Sequence, residues 1–295
     1  MADMRTLLAS APKFELAPQA RDGFDALMSH VPPADAVHHE RSAVAGIPGA
    51  WCRPAGAARD AAILYLHGGG YVLGSADAYV NLVGQMASRA AVDAFVPDYR
   101  LAPEHPFPAA VDDALEAYDG LVAMGYRRIA LVGDSAGGGL ALALLSRLCE
   151  IVRSTGTAAP ACAAVISPWI DLSLAGESMN SRAQHDPLLS REALGKAASL
   201  YLDDKAANPQ DPRASALFAR LDGLPPVRLH VGADEVLLDD SIRYARALEA
   251  AGGIAEAHVW EGMLHVFPAS LQTLTAAREA LDDVGEFLSR MLRTG

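Results

Sequence analysis

Ile129-Ala130-Leu131-Val132 runs directly into Gly133-Asp134-Ser135-Ala136-Gly137, and an apolar helical stretch, Gly138–Ile151, follows at once. A short buried strand, a G-x-S-x-G turn and a helix in that order form a nucleophile elbow. The requirement is steric. The serine must sit on a turn so tight that side chains two residues to either side would collide, so both positions are glycine. Such a turn lifts the hydroxyl clear of the sheet and sets it at a helix N-terminus, where free N–H groups and the helix dipole favour a developing oxyanion. A phosphate-binding loop is excluded, because the Gly-Lys-Ser/Thr ending is missing.

Working outward, six short apolar runs read as strands: Ala61–Leu66, Ala94–Pro97, Ile129–Val132, Ala163–Ile166, Val227–Val231 and Ala255–Trp260. The first five look buried on both faces, as parallel strands are. Helix-like stretches lie between them (Ala78–Ala91, Ala109–Met124, Gly138–Ile151, Asp240–Ala251), and Thr273–Leu292 closes the chain. Strand alternating with helix predicts a doubly wound, mostly parallel sheet. Val37–Val44 and Gly49–Arg53 read as two weaker strands paired antiparallel at one edge, with the turn in Gly46-Ile47-Pro48-Gly49. Two stretches break the rhythm: the apolar, helix-like residues before Pro32-Pro33, and Gly176–Leu221 with its prolines. Both are expected to form one cap over the carboxyl edge of the sheet.

His67-Gly68-Gly69-Gly70 follows the strand Ala61–Leu66. Three glycines in a row let backbone N–H groups converge on one spot, which with the N–H of Ala136 would cradle a negative oxygen. His67 precedes the serine, the wrong order for the base here, and reads as loop scaffold. Serine, acid, histidine is the order this elbow requires. His258 lies inside a strand, whereas His265 lies in the loop beyond it and can reach over the serine. His265 is therefore the expected base. Asp234, Glu235, Asp239 and Asp240 are the acid candidates. Asp234, three residues past Val231 at the strand's carboxyl tip, is the expected acid, and Asp239 and Asp240 read as the cap of the next helix.

Composition narrows the classes further. The 295 residues are 51% hydrophobic and 20% charged, with a net charge of -12. Nucleic acid and anionic lipid are poor partners for such a surface. Three scattered cysteines (Cys52, Cys149, Cys162) make no disulfide framework and read as buried thiols in a reducing compartment. No secretory signal and no membrane-spanning apolar window are apparent, so a cytoplasmic protein is expected.

With these segments in hand, the chain resembles the hormone-sensitive-lipase family of α/β-hydrolases, in its bacterial esterase branch. The matching segments are His67–Gly70, Asp98–Glu104, Phe107–Ala110, Gly133–Gly138, Ser167-Pro168-Trp169-Ile170-Asp171 and Asp234–Asp240. The resemblance implies the α/β-hydrolase fold in one domain, 1–295, with a helical cap from about 1–35 and about 176–221. It implies hydrolysis of short- to medium-chain acyl esters by Ser135, Asp234 and His265, with Gly69, Gly70 and Ala136 amides holding the oxyanion. It implies no metal or organic cofactor, and Arg100 and Glu104 as a scaffold ion pair. The expected partner is a small-molecule ester, and a homodimer is compatible with the sequence. Many members carry proline just after the acid, where this chain has Glu235 and Val236. A lactone or acetylated-natural-product hydrolase would share all this chemistry. A non-catalytic binder on the same fold would lack the serine or the histidine, and both are present.

Overall fold

The structure is a computed structural model and describes residues 15–155, 159–203 and 208–293. An eight-stranded sheet runs β1 (Val37–Val44), β2 (Ile47–Pro54), β4 (Val92–Pro97), β3 (Ala58–Leu66), β5 (Arg128–Asp134), β6 (Cys162–Ile166), β7 (Val227–Gly232), β8 (Ala255–Trp260). From β4 through β8 every pairing is parallel, and β1 and β2 add antiparallel strands at one edge. All eight expected strands form, Val37–Val44 and Ala255–Trp260 with the bounds read and the others one to three residues longer. The edge hairpin turns at Ala45-Gly46, both with positive φ (49° and 84°), so Ile47 and Pro48 already belong to β2. Two successive positive-φ residues match the right-handed twist of the flanking strands.

Helices cover both faces. Alternate residues of β3 divide cleanly: Ala61, Ile63 and Tyr65 pack under α2 (Ala76–Ala90) and α8 (Thr275–Arg293). Ala62, Leu64 and Leu66 pack on the other face, under α3 (Ala109–Ala123), α4 (Ser135–Thr155) and α7 (Leu238–Ala250). That period of two, apolar on both sides, is what a central parallel strand requires. Each fully buried leucine contributes ~2 kcal/mol of transfer free energy. Helix α4 includes Ser135–Ser154, the one described helix long and apolar enough to cross a membrane, contrary to the sequence reading. Of its most apolar window, 78% is buried inside the fold, as suits a core helix under the sheet.

Strand order reverses between β3 and β5: the chain leaves β3 toward β4 and leaves β5 toward β6, β7 and β8. A crevice opens at such a switch point, at the carboxyl ends of the strands. The glycine loop His67–Gly70 follows β3 there and the elbow follows β5. The segments outside the alternation supply α1 (Arg21–Met28), α5 (Ser178–Ser181) and α6 (Arg191–Leu202). Leu7, Leu8 and Phe14, apolar residues of the expected cap, lie outside the described residues, as do residues 204–207.

Candidate active site

Ser135 adopts φ 51°, a left-handed backbone that a non-glycine residue occupies only when its surroundings enforce it. The enforcement is visible at the flanking glycines. A Cβ on Gly133 would meet the Gly137 carbonyl at 2.5 Å and the Leu66 carbonyl at 2.6 Å, and one on Gly137 would collide with the carbonyls of Leu66 and His67. Both glycines are thus fixed by contact with the end of β3 as well as with each other.

His265 reaches the serine from the loop after β8. Its Nε2 lies 2.9 Å from Ser135 Oγ, and its Nδ1 lies 2.8 Å from Glu235 Oε2. A carboxylate only accepts, so the imidazole donates its Nδ1–H to Glu235 and accepts the serine proton at Nε2. The acid on the imidazole is therefore Glu235, and the expectation of Asp234 is corrected. The reason is local geometry. β7 continues through Gly232, and a tight turn follows in which the Glu235 amide approaches the Gly232 carbonyl at 3.4 Å while Glu235 Oε1 accepts the Gly232 N–H at 2.6 Å. The chain doubles back, so the residue at the end of the turn sits over the strand tip. Asp234 lies mid-turn, its amide directed to the Met263 carbonyl at 3.3 Å. Counting residues past the strand, as if the chain stayed extended, selects the neighbour.

Glu235 is fully buried and well supplied with donors. Ser167 Oγ donates to Oε1 at 2.6 Å, beside the Gly232 amide. Burial opposes charge on His265, but the hydrogen bond and charge of Glu235 outweigh it, with Asp186 and Asp134 adding, and its pKa is raised. Asp134, the second residue of the elbow, is buried, and burial pushes its carboxyl up to about 6. Its oxygens accept from the Tyr65 hydroxyl (2.8 Å), the Tyr79 hydroxyl (3.1 Å) and the Gly68 amide (2.9 Å), tying the elbow to the glycine loop.

That loop carries Gly69 and Gly70 at φ 113° and 65°, and both line the cavity beside Ser135 and His265. Ala136 follows the serine in the first turn of α4. His67 is buried and stacked on Tyr99 at 4.3 Å, a scaffold position as read. His258 stays in β8, stacked on His230 at 4.9 Å. Arg100 and Glu104 do not pair with each other: Arg100 binds Asp113 at 2.7 Å, and Glu104 receives Arg21 of α1 at 2.7 Å. Asp239 and Asp240 sit in the first turn of α7 rather than capping it, and accept the amides of Ser178, Ile170 and Asp171. The three cysteines are free and buried, with Cys52 and Cys162 pushed up to about 12 by burial. His230, His258 and Asp283 have the types and spacing of metal ligands. Arg228, however, grips both Asp283 oxygens at 2.6 Å, and Trp260 donates to His230 Nδ1 at 2.9 Å, so these groups already serve an ion-pair network.

Ser135 opens on a cavity of about 410 Å³. Leu16, Phe24, Met28 and Val31 from the N-terminal segment and Leu188, Leu189 and Leu194 from the insertion face it, together with Tyr79 and Val266. A larger surface cleft of about 1190 Å³, between Glu15 and Asp203, contains none of Ser135, His265 and Glu235.

Comparison with known proteins agrees with this arrangement. A family model described as the alpha/beta hydrolase fold matches residues 63–269. An esterase of Acinetobacter venetianus is 35% identical over 98% of this chain and 94% of its own length. An acetyl-hydrolase of Streptomyces hygroscopicus is 39% identical over 88% of this chain and 83% of its own. Among solved structures, an esterase from the bacterial hormone-sensitive-lipase family superposes with a TM-score of 0.89 at 40% identity, covering 98% and 96% of the two chains. The structure of EstE5 soaked with p-nitrophenyl butyrate gives 0.89 at 38% identity, covering 99% and 98%. The elbow, the glycine loop and the histidine loop thus sit in a chain that belongs to the hormone-sensitive-lipase family of α/β-hydrolases and is a serine carboxylic-ester hydrolase.

Proposed function

We propose that this chain hydrolyses short- to medium-chain acyl esters through a Ser135–His265–Glu235 triad and an acyl-enzyme. The observation that carries this reading is the continuous relay Glu235 Oε2–His265–Ser135 Oγ, with steps of 2.8 and 2.9 Å, opening on an apolar cavity. His265 takes the Ser135 proton as Oγ attacks the ester carbonyl. The oxyanion then meets the amides of Gly69, Gly70 and Ala136. His265 next protonates the leaving alcohol, and a water activated by the same imidazole releases the acid. Glu235 holds the tautomer and stabilises the imidazolium. The N-terminal segment and the insertion serve as the cap, their leucines walling the acyl site. A cavity of about 410 Å³ suits a short or medium chain, and the relative soaked with p-nitrophenyl butyrate supports that size class. Free buried thiols support a cytoplasmic setting. The acetyl-hydrolase relative favours a second reading, removal of an acetyl group from a larger natural product.

Ser135→Ala is expected to lower turnover of p-nitrophenyl butyrate by roughly four orders of magnitude or more while the protein stays folded. A serine-directed organophosphate should label Ser135 alone. Labelling elsewhere, or an active variant, would refute the assignment. A panel of nitrophenyl esters from acetate to decanoate, with lactones and bulky acetates alongside, separates the two substrate readings.

A further inference from the structure

Ser167-Pro168-Trp169 follows β6 and has no part in the reaction as described, yet it bonds to Ser135, to Glu235 and to the residue beside His265. The Trp169 amide donates to the Ser135 carbonyl at 2.8 Å. Ser167 is fully buried, at φ 46°, its own amide donating to the His230 carbonyl at 2.7 Å. Its hydroxyl has one proton and spends it on Glu235 Oε1 at 2.6 Å, while its oxygen accepts the Val266 amide at 3.0 Å. Val266 is the residue next to the base and is itself left-handed, at φ 51°. A β-branched residue in that region is costly and persists only where its surroundings hold it.

We propose that Ser167 is a positioning residue that locks the carboxylate of Glu235 and the loop of His265 to one another through a single hydroxyl. The contacts close a ring: Glu235 to Ser167, Ser167 to Val266, Val266 along the chain to His265, and His265 back to Glu235. With Oε1 occupied by Ser167 and the Gly232 amide, only Oε2 is left for the imidazole, which fixes the carboxylate rotamer. The backbone side of the ring sets where the histidine loop stands above the serine. An apolar or bare residue at position 167 leaves Oε1 and the Val266 amide each one partner short in a buried setting, and both ends of the relay lose their common reference. Placement errors of about 1 Å at a reacting centre cost on the order of 10²-fold in rate.

This inference rests on Glu235 being the acid, and the test keeps the two claims apart. Ser167→Ala and Ser167→Gly are compared with wild type on p-nitrophenyl butyrate, each also in a Glu235→Gln background. Folding is checked by circular dichroism, and the glycine variant relieves the left-handed backbone should the alanine variant not fold. Expected is a kcat loss of roughly 10- to 100-fold with KM within about two-fold. In the Glu235→Gln background the same change should cost several-fold less than in wild type, because the carboxylate being positioned is gone and only the tie to Val266 is left to lose. Wild-type kcat in both Ser167 variants, or an equal fold-loss in both backgrounds, overturns the proposal while the triad stands. Undiminished kcat in Glu235→Gln alone overturns the acid assignment, and the inference with it.

Discussion

Two adjacent carboxylates, Asp234 and Glu235, differ by one position and have different fates. Glu235→Gln is expected to lower kcat by roughly 10³- to 10⁴-fold, as loss of the orienting carboxylate does in such triads. Asp234→Asn should stay within a few-fold of wild type. The pH profile carries a second signature. Catalysis needs neutral His265, whose pKa is raised by Glu235 despite burial. The acid limb of kcat/KM should therefore lie above the ordinary value of about 6.5. Removing the carboxylate charge leaves only the more distant Asp186 and Asp134 to oppose burial, so the limb of the residual activity in Glu235→Gln should move to lower pH. A limb that stays put would mean another group titrates there. Serine and histidine were legible in the sequence because each is dictated by its setting, an elbow between glycines and a loop past the last strand. The acid was not, since the turn Gly232–Glu235 is set by a contact at the end of the strand. A Cβ on Gly232 would collide with the Met263 carbonyl, thirty-one residues away. Nothing within the Ala233–Val236 stretch announces that packing.

At the scale of elements, strands and crossover helices were readable because burial on both faces leaves uninterrupted apolar runs. The two segments expected to form a cap were legible only as a departure from that rhythm. What holds the first of them down lies in scattered polar residues. Arg21 of α1 donates to the carbonyls of Val72 (2.9 Å) and Ala102 (3.0 Å) and forms a two-pronged pair with Glu104 (2.7 and 3.0 Å). Four residues on, Asp25 accepts from Ser75, whose oxygen also takes the Ala78 amide at the start of α2. One face of α1 is thus latched beside the glycine loop while Phe24 and Met28 look into the cavity. The family resemblance pairs Glu104 with Arg100, whereas its partner is Arg21, eighty-three residues away. Arg21→Ala unpairs two carbonyls and a half-exposed carboxylate, a loss of ~1 kcal/mol or so in docking of the helix. Activity on the best ester should fall roughly five-fold, with the acetate, the shortest acyl group, least affected. Nitrophenyl esters of increasing length measure this. A loss equal on all esters would place the effect of Arg21 on the glycine loop instead of on the pocket wall.

Over the whole molecule, the same burial that makes the doubly wound core also forces acidic groups into it, and stability should respond to pH accordingly. Asp240 is the clearest instance. It is fully buried in the first turn of α7, and one of its oxygens takes the amides of Ile170 and Asp171 at 2.7 and 2.9 Å, where the chain leaves β6 for the insertion. Burial pushes its carboxyl up to about 7, against an ordinary value of about 3.9. The folded protein therefore holds that proton more tightly than the unfolded chain does. Its contribution to stability is complete below about pH 4 and declines as pH rises through about 7. Half-buried His39 and buried His67 and His230 pull the other way, since their pKa values are lowered and stability from them grows as pH rises through the histidine range. The wild-type curve is a sum of these opposed slopes, and only a difference isolates one group. Asp240→Asn keeps the shape and the accepting oxygen and removes the titration. Thermal unfolding of both proteins between pH 5 and pH 8 should show the variant gaining on wild type as pH rises, by on the order of a few degrees across the window. Parallel curves would show that Asp240 keeps one protonation state throughout that window, and that its two amide bonds, without any titration, account for its place at the root of the insertion.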